Sequence, residues 1–232
     1  MKKIGFIGAY DKTDLIIYIA KILELAGEKV LIVDATNNQK AKYIVPVLNP
    51  STSYITNYKG IDIAVGLNSF EEINCYLGLP STAVPDYDFA LIDIDKPESM
   101  KSFNMIVSDK RFFVTSMDLY SIKRGLEVLS GLSNAVEFTK IYFTSGSPQV
   151  EDDYFNFLSL GYKAIWNQEK IYFPFNTNDQ AVIIENQRES EITVKNLSSQ
   201  YKETMMYVVT EIVGHEMKKE IKRVFKLLEK GA

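Results

Sequence analysis

The chain has 232 residues, 46% hydrophobic and 24% charged, with 26 basic against 30 acidic side chains and a formal net charge of −4. That length supports one α/β domain with a large core, and the acidic balance, with a pI near 5.2, argues against a generally nucleic-acid-coating surface while leaving room for a local basic patch. A single cysteine, Cys75, excludes an internal disulfide and a cysteine-cluster metal site, and a single histidine, His215, leaves almost no material for a histidine zinc site, a Cys–His dyad or a Ser–His–Asp triad.

In chain order, Lys2 to Ile7 (KKIGFI) is a short apolar run that reads as a central parallel strand. Gly8-Ala9-Tyr10-Asp11-Lys12-Thr13-Asp14 follows as a turn, and Leu15 to Ala26 carries Leu15, Ile16, Ile19, Ile22, Leu23 and Ala26 at helical spacing until Gly27 ends the helix. Lys29 to Asp34 (KVLIVD) is a second strand. Together these segments form a strand, turn, helix and strand unit with Lys-Thr at the turn, where a phosphate-binding loop sits. Asp34, at the carboxyl end of its strand, lies where open α/β sheets bind ligands.

Residues 35–60 are polar and turn-rich, with a break at Asn49-Pro50-Ser51 and an alternating edge strand over Tyr54 to Tyr58. Ile61 to Val65 is a further strand, and Ser69 caps a helix that ends near Gly78 and packs the Cys75 thiol. In Tyr87 to Asp95 (YDFALIDID) an apolar strand runs into Asp93. A carboxylate there either holds magnesium beside nucleotide phosphates or simply caps the next helix. Arg111 to Thr115 is a strand, and Asp118 opens a helix over Leu119 to Leu132 whose Leu119, Ile122, Leu126 and Leu129 form a core stripe. Lys140 to Phe143 begins another strand, followed by a polar turn at 144–148 and an amphipathic helix over Glu151 to Leu160. Lys163 to Phe175 holds one or two strands with Trp166 as a packed aromatic, and helices are expected over Asp179 to Glu185 and Leu197 to Val213. The alternation gives a doubly wound, mainly parallel sheet with helices on both faces, in three α/β/α layers, over residues 1–214. No apolar run reaches the ~18 residues of a membrane span and the first strand begins at once, so a cytoplasmic location is expected.

Taken in order, these landmarks resemble the ParA/MinD family of P-loop ATPases. The resemblance is carried by the lysine-threonine loop, AGEKVLIVDA, YDFALIDID, RFFVTSMDLYSIKRG and the late IYFPFNTNDQAVIIENQ, and so spans nearly the whole chain. It implies ATP or ADP with Mg2+ as cofactor, held by Gly8, Asp11, Lys12, Thr13 and Asp14 of the loop. Lys12 matches the phosphate-binding lysine, and Thr13 and Asp93 match the magnesium side. Asp34 matches the carboxylate that positions the attacking water, and Pro174 the loop whose backbone faces adenine.

The family loop reads Lys-Gly-Gly-x-Gly-Lys-Thr, and this chain departs from it at Ile7, Ala9 and Asp11. Ile7 removes the cation that crosses an ATP-bound dimer to the partner's phosphates, a group of the kind that stabilises a transition state by several kcal/mol. Asp11 sets a negative charge beside a triphosphate unless a cation intervenes, and it stands where a glycine would give the backbone its freedom. An internal Asp11–Lys12 ion pair closing the loop is the competing reading. Weak or lost hydrolysis follows, in a homodimer that positions or scaffolds a secretion, pilus or partition machine, as the TadZ type does. The alternative is an active ATPase cycling on a membrane or nucleoid to locate cargo; a dethiobiotin-synthetase-like ligase finds no substrate-binding set here.

Residues 215–232 form a basic amphipathic extension: six Lys or Arg against three Glu over 215–230, with Met217, Ile221, Val224, Phe225 and Leu228 on one face. Three fates stay open for that face: packing on the body or a second subunit, contact with the inner face of an anionic membrane, or contact with a protein partner not identified by the sequence. Nucleic acid is the weaker target for a chain this acidic.

Overall fold

The computed structural model describes residues 1–47, 52–145 and 148–230. The strands are β1 (Lys2–Ile7), β2 (Val30–Asp34), β3 (Tyr54–Tyr58), β4 (Ile61–Val65), β5 (Phe89–Ile94), β6 (Lys110–Ser116), β7 (Val136–Thr144) and β8 (Ala164–Pro174). They make one sheet in the order β3-β4-β2-β5-β1-β6-β7-β8. Every neighbouring pair is parallel except β3 with β4, whose antiparallel pairing puts the alternating Tyr54–Tyr58 segment at the edge. The helices are α1 (Thr13–Leu25), α2 (Ala41–Ile44), α3 (Phe70–Tyr76), α4 (Pro97–Ser102), α5 (Leu119–Val128), α6 (Pro148–Leu158), α7 (Thr177–Glu189), α8 (Ser199–Val213) and α9 (Lys218–Leu228).

Central strands are apolar on both sides because both faces of the sheet are covered. Along β5, Phe89 and Leu91 enter the core under α1, α8 and α9, while Ala90, Ile92 and Ile94 enter the opposite core with residues of α4 and α5. The expected three-layer α/β/α architecture is therefore present. The chain leaves β1 toward β2 on one side and later returns through β6 on the other, so the loop after β1 sits at the switch point, above the carboxyl ends of the strands.

Several expectations need correction. Cys75 is exposed rather than packed: α3 turns Ile73 inward, and a residue two positions on lies about 200° round the helix. Leu119 is 52% exposed because it opens α5 beyond the end of the core, and the α-helix stops at Val128 before a single 3-10 turn over Leu129–Gly131. Of the one or two late strands expected there is one, β8, and α7 runs past the expected Asp179–Glu185 at both ends. The turn-rich stretch after β2 contains α2. The break at Asn49-Pro50-Ser51 and part of the turn at 144–148 lie outside the described residues. Trp166 is the packed aromatic expected, against Phe155 and Phe113 with centroids 5.0 and 5.4 Å away.

The basic tail folds as α9, and Ile221, Val224, Phe225 and Leu228 are buried in the same core as α1 and α8. Lys218, Lys219, Lys222, Arg223 and Lys226 face outward. Among the described residues no helix is long and apolar enough to cross a membrane. A core role for α9 carries a stability cost: Phe225→Ala is expected to lower the free energy of unfolding by about 3–5 kcal/mol, the range for a deleted buried aromatic. Urea denaturation reads this, and a loss below about 1 kcal/mol, as for an ordinary surface change, would contradict the docking of α9.

Candidate functional site

The loop begins where β1 ends. Gly8 donates its N–H to the Ile94 carbonyl at 3.0 Å and holds φ +139°. A Cβ there would come within 2.2 Å of the Val114 carbonyl oxygen, so the glycine is required by the close approach of β6, whatever the loop binds. Tyr10 lays its ring on Phe143 of β7 with centroids 4.7 Å apart. Burial, with the nearby Asp11 charge, pushes its phenol up to about 12.

Lys12 is 3% exposed, and its ammonium is fully engaged. Nζ donates to the carbonyls of Gly8 at 2.8 Å and Tyr10 at 3.4 Å, and lies 2.7 Å from Asp93 Oδ1. The first two are hydrogen bonds and the third is an ion pair, since Asp93 Oδ1 has no hydrogen-bond partner among the described residues. Thr13 Oγ1 donates to Asp93 Oδ2 at 3.4 Å. Burial pushes the Asp93 carboxyl up to about 7; Lys12 pulls it back, and the neighbouring Asp34 raises it further.

The loop's own carboxylates are neutralised from elsewhere. Asp11 accepts the Thr13 N–H through Oδ1 at 3.2 Å, occupying a donor at the N-terminus of α1, where an anion is favoured. Its Oδ2 pairs with Lys40 Nζ at 2.6 Å, and the same ammonium reaches Asp14 Oδ2 at 2.8 Å. Asp14 Oδ1 accepts from Gln187 Nε2 of α7 at 2.7 Å. Burial alone would lower the Lys40 pKa, but Asp14 and Asp11 outweigh it and the value is raised. The expected Asp11–Lys12 pair is thus replaced by two others, Asp11–Lys40 and Lys12–Asp93, because the Lys12 side chain turns back under its own loop toward the end of β5.

Asp34 is buried and turned to its own strand end. Oδ1 accepts the Thr36 hydroxyl at 2.6 Å and the Thr36 N–H at 3.2 Å, while Oδ2 accepts the Ala41 N–H at 3.0 Å. These contacts fix the turn into α2. Burial raises its pKa and the hydrogen bonds lower it, leaving it raised. Pro174 ends β8, and Phe175 donates its N–H to Thr144 at 3.1 Å. Pro174 faces Asp14 across a cleft of about 260 Å³ beside the loop. A second cavity of about 250 Å³ lies over Lys12, Thr13 and Asp93, with Tyr43 and Asp95 at its rim.

Every residue singled out from the sequence therefore stands at the carboxyl end of the sheet: Gly8, Asp11, Lys12, Thr13, Asp34 and Asp93 in one cluster, Asp14 at its border and Pro174 across the cleft. Lys40 and Gln187 were missed. Lys40 lies in a polar stretch with no period, and only the need of Asp11 for a counter-charge points to it. The groups present do not fit a magnesium–triphosphate as they stand. The lysine, the threonine hydroxyl and the Thr13 N–H are all engaged within the chain. Among the described residues no group of three or more acidic, His or Cys side chains is placed to hold a metal.

No protein-family model and no curated protein sequence matches this chain. Solved structures do. A plasmid partition protein of Borrelia burgdorferi bound to AMPPNP is 12% identical, with a TM-score of 0.60 over 91% of this chain and 99% of its own. A ParA family ATPase of Chlorobium tepidum gives 12% and 0.58 over 91% and 98%. The MinC:MinD cell division complex of Aquifex aeolicus gives 16% and 0.57 over 91% and 96%. At such identities the likeness concerns the fold, and this chain has the fold of the ParA and MinD ATPases.

Proposed function

We propose that this chain is a ParA/MinD-like positioning or scaffolding protein that acts as a homodimer, without efficient ATP hydrolysis, in placing a cellular machine of the secretion, pilus or partition type. The observation that carries the reading is the buried contact of 2.7 Å between Lys12 and Asp93. It joins the phosphate-side cation to the magnesium-side carboxylate, so binding ATP or ADP with Mg2+ would first have to separate two charges in a dry site, a step costing several kcal/mol per exposed ion. Asp34, committed to Thr36 and Ala41, is poorly placed to orient a water. Peripheral membrane contact through residues 215–230 has less support, because the apolar face it needs is turned into the core.

Titration calorimetry with ATP and ADP, with and without magnesium, is expected to give negligible heats for the wild type and for Lys12→Ala alike. Tight, magnesium-dependent ATP binding with steady turnover would overturn the proposal.

The same contact makes a second prediction about stability. Lys12→Met leaves Asp93 buried without its counter-charge and is expected to cost about 3–5 kcal/mol at pH 8. At pH 5 the cost should shrink. A carboxyl raised to about 7 takes up a proton on folding, so the native state gains stability as pH falls below 7 toward the ordinary carboxylate range. Melting curves at the two pH values decide this, and a cost independent of pH would show that Asp93 is not the group responsible.

A dimer through this end of the sheet has a surface to use. Tyr43, Leu119, Tyr120, Phe175 and Ile184 are between 47% and 79% exposed and follow the carboxyl ends of β2, β6 and β8. Exposed apolar clusters of this kind mark contact sites. Light scattering is expected to give a dimer for the wild type and a folded monomer for Tyr120→Asp; a monomeric wild type would remove the dimer from the proposal.

A further inference from the structure

Away from the loop, α8 and α9 enclose a groove of about 330 Å³. The chain turns back at Gly214, where φ is +107°, and Lys202 near the start of α8 meets Glu229 just past the end of α9 at 2.8 Å. The two helices therefore run side by side in opposite directions. Ser199, Lys202, Glu203 and Met206 form one wall of the groove. Lys222, Phe225, Lys226 and Glu229 form the other. Both sets follow the spacing i, i+3, i+4, i+7, which is one helix face over two turns, or about 11 Å. Two such faces left open side by side make a seat for a third helix. The floor is apolar, with Phe225 buried and Met206 half-buried against the same core. Methionine adapts its shape to whatever lies on it.

The rims set the charge of the occupant. Lys202 and Glu229 satisfy one another across the groove, and Arg223, outside it, is paired with Glu220. Lys222 and Lys226, one turn apart on α9, are exposed and have no carboxylate partner among the described residues. Lys218 continues their row one turn earlier, so the α9 rim is basic over its whole length. The α8 rim instead carries the exposed Glu203, which repels acids on that side. From this asymmetry we infer that the groove seats an amphipathic helix of another protein, with apolar anchors over two turns and carboxylates on the flank that faces α9. A membrane surface suits it less, because the apolar side chains of α9 that would enter lipid are buried in the core. A nucleic acid would gain from the lysines and nothing from the apolar floor. The groove lies apart from the crevice at the carboxyl ends of the strands, and its binding is independent of the loop.

The probe is a labelled synthetic helix of about 16 residues, long enough to form alone, with a Leu stripe, Glu on one flank and Gln on the other. Fluorescence anisotropy with the full chain is expected to show saturable binding. Twins with Lys in place of Glu, or Gln in place of Leu, should each bind at least about tenfold more weakly. Lys222→Glu with Lys226→Glu should weaken the acidic helix at least about tenfold. Lys219→Glu with Arg223→Glu makes the same change of charge on the same helix outside the groove, and should weaken it less than about twofold. All four side chains are exposed, so both double variants should melt as the wild type does. Equal losses in the two variants would reduce the effect to general basic charge and overturn the groove. Tighter binding to phosphatidylglycerol vesicles or to a DNA duplex than to the acidic helix would overturn the choice of partner. No binding of the acidic helix to the wild type would overturn the inference outright and leave the closed loop standing.

Discussion

Two buried Lys–Asp pairs each tie a strand of the sheet to a neighbouring segment, and the contrast between them explains the candidate site. Asp152 of α6 accepts from Lys140, Tyr142, Asn156 and Lys170, so although burial raises its pKa the donors overcome this and hold it at about 2. Asp93 accepts from Thr13 and is ion-paired with Lys12, its Oδ1 has no hydrogen-bond partner among the described residues, and burial wins, leaving it near 7. A buried ion pair stabilises only when hydrogen bonds complete the coordination of both charges. By that measure the pair on α6 and β7 is a finished structural joint. The pair beneath the loop is complete on the lysine side and incomplete on the carboxylate side.

That closure propagates outward. With Lys12 turned toward β5, the N-terminus of α1 receives its negative charge from Asp11, and Asp11 needs a cation in turn. Lys40 supplies it and also binds Asp14, which is anchored to α7 through Gln187. One chain of contacts therefore runs from the end of β5 through the loop to the helix that follows β8. The segment after β2 is drawn into the same chain, because Asp34 holds Thr36 and Ala41 on either side of Lys40. Charge pairing does here what a bound polyanion does elsewhere: it fixes the relative positions of β1, β2 and β5 at their carboxyl ends.

The fold was legible because its signals are local and redundant. Apolar runs of strand length alternate with helical stripes such as Leu15, Ile16, Ile19 and Ile22, and each parallel strand needs only to be buried on both faces to be recognised. The landmarks Lys12, Thr13, Asp34 and Asp93 were equally legible, since strand ends bring them to one edge of the sheet. Their partners were not. Side-chain direction decided that Lys12 would meet Asp93 and not Asp11, and sequence adjacency carries no such information. Lys40 was hidden in an aperiodic stretch. Cys75 and Leu119 failed for a related reason: periodicity gives a helix face, but whether that face reaches the core depends on where the helix begins and how far the sheet extends.

Lys40 also divides the crevice in two. On one side lies the cavity over Lys12, Thr13 and Asp93, where every donor a phosphate needs is already engaged. On the other lies the aromatic cleft, which Tyr10, Phe143 and Tyr201 line. The two cavities share Tyr10, Asp11 and Lys40 as a common wall. The aromatic half also serves the fold, since the ladder from Tyr10 to Tyr201 ties the loop to β7, β8 and α8. Filling the cleft from within the chain would have required a larger side chain in that ladder and a matching shift of α7. The engaged loop and the open cleft therefore stand side by side at the end of one sheet.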